Sequence, residues 1–103
     1  MIKCLKCGKV LEANGENKRE AIISGSIMGD EYIESYIFCD DCQVYTVEIF
    51  RDSFSGPEQT FMKGPLSKEE GNKQVSIIKR CKTPWNKKCR CEAHKEYFRG
   101  MLD

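Results

Sequence analysis

Seven cysteines and a single histidine carry most of the chemistry available to this sequence. Four of the cysteines form two C-x-x-C pairs, Cys4 with Cys7 and Cys39 with Cys42. A thiolate is a soft anionic ligand, and two such pairs supply the sulfurs of a closed tetrahedral metal site. Cys81, Cys89 and Cys91 lie close to His94 in the pattern C-x7-C-x-C-x2-H. Three thiolates and an imidazole make a second four-donor set. Together the seven sulfurs and one imidazole fill two tetrahedral sites with no donor left over, which scattered cysteines would not do. The plain alternative for the second set is buried cysteines acting as small apolar residues beside a packed histidine.

Disulfides are the rival use of the thiols. An odd cysteine count leaves one unpaired, and C-x-x-C is a poor spacing for a structural bridge. The start, Met1-Ile2-Lys3-Cys4, has no apolar run of the kind that marks a secretory signal. No stretch approaches the ~20 apolar residues of a membrane span. The expectation is a cytoplasmic protein in a reducing setting, without membrane contact. The 103 residues allow one small domain. A chain this short buries a modest core, so metal staples would help to hold it.

The paired spacing, with Gly8 after the first pair and strand-like sequence between the pairs, resembles zinc ribbons over roughly residues 1–51. The resemblance implies a rubredoxin-like antiparallel sheet clamped by metal at Cys4, Cys7, Cys39 and Cys42. Rubredoxins hold iron through the same pattern, so iron at these four residues is the alternative. They carry glycine after both pairs, whereas Gln43 follows the second pair here. That departure and the long hairpin favour zinc. A redox dithiol of the thioredoxin kind would open a helix, and both pairs lie among strands.

The elements that must position these donors are legible in outline. Val10–Ala13 is a short strand, Asn14–Asn17 a turn, and Arg19–Met28 a strand that Ser24-Gly25-Ser26 interrupts as a bulge. Glu31–Phe38 and Gln43–Arg51 alternate as strands joined through the second cysteine pair. Apolar residues on both faces of the latter predict cover on both sides. Residues 52–65 read as a loop in which Phe54 and Phe61 pack down. Ser67 and Glu70 form a capping box for a helix from Lys68 to Cys81, with Gln74, Ile77, Ile78 and Cys81 near one face. Gly71 should cost that helix roughly 1 kcal/mol against alanine. A second helix, Glu92–Met101, places His94, Tyr97, Phe98 and Met101 along one face. The expected class is α+β, with residues 1–65 a zinc-ribbon-like β part and 66–103 a helical part around the second metal, all within a single small domain.

The formal charge is +1 with neutral thiols. Two zinc ions on seven thiolates would bring it to −2, so no global basic character argues for nucleic acid. The distribution is uneven. Residues 21–60 hold eight acids and one base, whereas residues 79–99 hold eight bases and two acids. Lys87, Lys88 and Arg90 interleave with Trp85, Tyr97 and Phe98, and Lys95 and Arg99 follow. That pattern suits phosphate contact with base stacking, or an acidic protein surface. The plainer reading is local compensation of thiolate charge. Closed donor sets argue for structural metals and against an enzyme. A catalytic second site would need water in place of Cys81, and Glu92 and Glu96 follow no known hydrolytic spacing. The function this implies is a non-catalytic binding module with two zinc ions, contacting nucleic acid or an acidic partner through its basic C-terminal segment. A redox, electron-transfer or metal-responsive protein, or an enzyme using the second site, is the alternative.

Overall fold

The structure, a computed structural model, describes residues 2–11, 19–53 and 56–102. The expected turn at Asn14–Asn17, the end of the strand expected at Val10–Ala13, and Phe54 lie outside these residues. Four antiparallel strands form one sheet in sequential order: β1 (Arg19–Ile27), β2 (Asp30–Cys39), β3 (Val44–Asp52) and β4 (Gln59–Ser67). Helices α1 (Lys68–Lys79) and α2 (Glu92–Tyr97) follow. The class is α+β. No helix among the described residues is long and apolar enough to cross a membrane.

Strand alternation divides the sheet into two faces. Ala21, Ile23, Tyr36, Tyr45 and Val47 point to one of them and are buried against Val75 and Ile78 of α1 and Phe98 beyond α2. On the opposite face Ile37 and Cys39 pack with Ile2, Cys4 and Leu11. Thr46, on that face of β3, is fully buried and accepts a hydrogen bond from the Leu5 N–H at 3.3 Å. β3 is therefore covered on both sides, as its apolar residues on both faces implied.

Three local expectations are corrected. Residues 52–65 are not all loop, because β4 occupies Gln59–Ser67. It is an edge strand, exposed along its length except at Leu66, so no burial forces an alternating pattern on its sequence. Gly64 and Pro65, which read as loop punctuation, sit opposite the single residue Thr46 at a register shift. An edge strand tolerates proline there because no neighbour needs its missing N–H. β4 also carries the sheet past the 65/66 division drawn from the sequence. Phe61 does not pack down and stays half exposed.

Ser24-Gly25-Ser26 is not a bulge either. Its register with β2 is unbroken, and the shift in β1 lies between Arg19 and Ala21. The small residues serve packing. A Cβ on Gly25 would fall 2.6 Å from the Phe98 ring and 2.8 Å from Leu102, so glycine lets the C-terminal segment lie on β1. The third correction is α2, which ends at Tyr97 rather than Met101. Arg99 and Gly100 then take positive φ values of 54° and 75°, and Met101 is exposed.

α1 begins as its sequence predicts. The Ser67 hydroxyl accepts from the Glu70 N–H at 3.1 Å. Its buried residues serve two contacts. Val75 and Ile78 meet the sheet, whereas Ile77 packs with Cys81 and Ala93. Gly71 is buried and faces the Tyr45 ring, where a Cβ would come within 1.9 Å.

Gly71→Ala therefore reverses the usual sign. Helix propensity alone gains about 1 kcal/mol, but overpacking against a buried ring costs about 1–3 kcal/mol. Net destabilisation of the metal-loaded protein is expected in chemical denaturation, and a more stable variant would contradict this contact.

Candidate metal centres

The first centre joins two knuckles of the same design. In the N-terminal one, the Gly8 N–H donates to the Cys4 carbonyl at 2.8 Å, and the hairpin is closed by Cys4 N–H to Lys9 carbonyl and Leu11 N–H to Ile2 carbonyl. In the second, between β2 and β3, the Gln43 N–H donates to the Cys39 carbonyl, also at 2.8 Å. Gly8 has φ 79° and Gln43 φ 57°. Gln43 thus adopts the left-handed conformation that glycine takes in the first knuckle, aided by a 2.6 Å bond from its side-chain amide to the Asp40 carbonyl. The departure from a paired-glycine pattern is one of residue type and not of backbone, so it no longer separates zinc from iron.

The Sγ atoms of Cys4, Cys7, Cys39 and Cys42 all lie within 4.8 Å of one another. Cys7 and Cys39 are 3.9 Å apart. A tetrahedron with metal–sulfur bonds of about 2.3 Å has sulfur–sulfur edges of about 3.8 Å, so the donors fit a metal ion. The Lys6 N–H points at Cys4 Sγ from 3.4 Å. Burial opposes ionisation of Cys4, but N–H groups of Cys7 and Lys6 offset it and the thiol is held down at about 7. Cys42 is pushed up to about 12, first by its contact with Cys7 and then by burial.

The second centre forms where the chain leaves α1 and turns back. Successive tight turns, Asn86 N–H to Thr83 carbonyl and Cys89 N–H to Asn86 carbonyl, each at 3.0 Å, bring Cys89 and Cys91 back to Cys81. The Cys81 and Cys89 sulfurs are 3.7 Å apart. His94 Nδ1 lies 3.1 Å from Cys81 Sγ and 3.6 Å from Cys91 Sγ. A tetrahedral ion would set sulfur–nitrogen edges of about 3.6 Å, so this set also fits. Cys91 caps α2 with its sulfur, which the His94 N–H approaches at 3.4 Å. The Thr83 hydroxyl and then the Cys91 N–H hold Cys89 down at about 7, whereas burial raises Cys81 to about 11.

His94 is fully buried, and its other nitrogen is committed. Nε2 sits 2.9 Å from the Ser24 carbonyl of β1. A carbonyl only accepts, so Nε2 carries the proton and Nδ1 presents its lone pair to the three sulfurs. Ser24 also donates its N–H to the Pro84 carbonyl at 2.7 Å. Both outward backbone groups of Ser24, on an edge strand, are thereby satisfied by the second centre. Nothing in the sequence could flag Ser24, since the contact uses its backbone.

The residues proposed for nucleic-acid or partner contact are placed less uniformly. Trp85, Lys88, Lys95 and Arg99 are exposed. Lys87 pairs with Glu31 at 3.2 Å, and Arg90 turns back onto the Lys87 and Cys89 carbonyls. Phe98 is a core residue. Tyr97 is half buried and donates to Glu34. These two rings are therefore not available for base stacking as the sequence pattern suggested. Acidic middle and basic tail partly neutralise each other through the Lys87–Glu31 pair.

Comparison with known families, curated proteins and solved structures finds no match.

Metal must displace protons from the reluctant thiols of each cluster. Apparent zinc affinity should therefore fall as pH is lowered from about 8 to 6, read by competition with a chromophoric chelator; a flat profile would contradict thiolate ligation. His94→Ala should lower bound metal from two ions to one and speed amide exchange at Ser24, with the first centre still loaded. Unchanged stoichiometry would remove His94 from the donor set.

Proposed function

We propose that this protein is a non-catalytic binding module held together by two structural zinc ions, one at Cys4, Cys7, Cys39 and Cys42, the other at Cys81, Cys89, Cys91 and His94. The observation that carries this reading is the completeness of both donor sets. Each offers four donor atoms within 4.8 Å of one another, so a tetrahedral ion has no open position for water or substrate. Zinc at such sites would fix geometry and contribute folding energy. The N-terminal half is read as zinc-ribbon-like because a knuckle joins β2 to β3 and a second knuckle packs beneath it. The seven free thiols suit a reducing compartment, the cytoplasm.

One observation favours a second reading at the first centre. The matched backbones at Gly8 and Gln43 suit iron as well as zinc. Elemental analysis separates the two: two colourless zinc ions support the structural reading, and a red, iron-containing protein moves the assignment to electron transfer.

The contact surface we assign is the exposed part of the C-terminal segment, Trp85 with Lys88 and Lys95, facing a single-stranded nucleic acid or an acidic protein. Trp85 is the one tryptophan and is 66% exposed, so its emission reports directly. Titration of the metal-loaded protein with single-stranded oligonucleotide at low salt should quench Trp85, and added salt should reverse it. Quenching by poly-glutamate and not by oligonucleotide would select the acidic partner. No response to either at low salt would remove this surface from the reading.

A further inference from the structure

The helix-bearing face of the sheet is not covered throughout. A cleft of about 790 Å³ opens between β2, β4, α1 and the segment after α2. Tyr32, Glu34 and Tyr36, same-face neighbours on β2, lie along it. At its floor a relay is ordered by chemistry. Tyr97 donates to Glu34, so the 2.6 Å contact between the two tyrosine hydroxyls is a donation from Tyr36 to Tyr97. Burial raises Tyr36 to about 12, and burial with the Glu34 charge raises Tyr97 further. Both therefore stay protonated donors. One Glu34 oxygen is held by this relay, and the other has no partner among the described residues.

Three cations on three different elements line the same cleft: Lys63 on β4, Lys73 on α1 and Arg99 after α2. None has an ion-pair partner among the described residues, whereas Lys9, Arg19, Arg51, Arg80 and Lys87 are all paired. The acids lining the cleft are Glu34 and Glu70, which leaves a net positive charge.

These features restrict the occupant. Unpaired cations call for an anion, phosphate above all. Inorganic phosphate alone would leave the apolar and aromatic lining unused. An aliphatic anion would bury the second Glu34 oxygen without a donor, which is costly. A planar heterocycle with N–H donors satisfies that oxygen and lies against the partly exposed Tyr32 ring along the cleft. We infer that the cleft binds a nucleoside phosphate, with base N–H groups on Glu34 and phosphate on Lys63, Lys73 and Arg99. The nucleotide is either free or one unit of a single strand. Trp85 does not line the cleft, so this site stands or falls separately from the surface assigned above.

The test is calorimetric titration of the zinc-loaded full chain with guanosine, adenosine and uridine monophosphates, inorganic phosphate, and a four-nucleotide single strand. At least one mononucleotide should saturate, about tenfold or more tighter than inorganic phosphate. Lys63→Ala with Lys73→Ala should weaken it by about tenfold or more, since both lie on exposed positions of an intact scaffold. Glu34→Gln keeps an acceptor for Tyr97, and should weaken nucleotide but not phosphate. Lys79→Ala, an exposed α1 cation outside the cleft, should leave mononucleotide and phosphate binding unchanged. A tetranucleotide that binds more tightly than any mononucleotide, and loses that affinity in the double lysine variant, identifies the strand as the source; a tetranucleotide no tighter than a mononucleotide, or one indifferent to the double lysine variant, identifies the free nucleotide. The inference is overturned if no mononucleotide saturates below about 10 mM, if phosphate binds as tightly, or if the double lysine variant binds normally.

Discussion

The imidazole of His94 ties the metal chemistry to the sheet. It is fully buried, and each ring nitrogen has a fixed task. Nε2 donates to the Ser24 carbonyl of β1, and Nδ1 faces the sulfurs of Cys81, Cys89 and Cys91. A buried polar ring left without partners would be costly, so cluster and sheet edge depend on one another. The second contact to Ser24, from Pro84, closes an exposed edge strand that would otherwise offer unpaired backbone groups to other chains. Gly25 beside it lets Phe98 and Leu102 lie on the strand. The tail is thus a cover for β1, and the Cys81, Cys89, Cys91 and His94 side chains converge where it turns back.

The first centre stabilises a different part of the sheet by the same physics. Its two knuckles bring Ile2, Cys4 and Leu11 onto the face of β2 opposite the helices, where they pack with Ile37 and Cys39. Each apolar cluster among the described residues is small. Two of the three contain cysteines of a candidate centre, and the third receives Phe98 from the segment that the second centre directs. A metal ion held at either candidate centre would therefore be coupled to core formation, as expected where hydrophobic burial alone is modest. Surface ion pairs such as Arg80–Glu96, with both partners more than half exposed, add little.

Much of this arrangement was legible in the residues. The donor sets followed from ligand count and spacing, because four soft donors at short separations have few other uses. β2, β3 and the start of α1 followed from alternation and from the Ser67 cap, which are local signals. What escaped was non-local. β4 buries almost nothing, so its sequence carries no alternation, and its Gly64-Pro65 step read as a loop. Gly25 and Gly71 looked like defects in a strand and a helix, but each makes room for a ring that arrives from elsewhere in the chain. Phe98 and Tyr97 looked like a stacking surface, since spacing cannot say which side of a short helix meets the sheet. The cleft over Glu34 unites residues from distant segments and left no motif.

The central claim is that two complete, closed donor sets each hold a metal ion. X-ray absorption at the metal edge, on protein carrying its own bound metal, addresses this directly. The account predicts zinc at two ions per chain, in four-coordinate shells that share seven sulfurs and one imidazole nitrogen between the two ions. A shell containing water oxygen, or a single ion per chain, would contradict it.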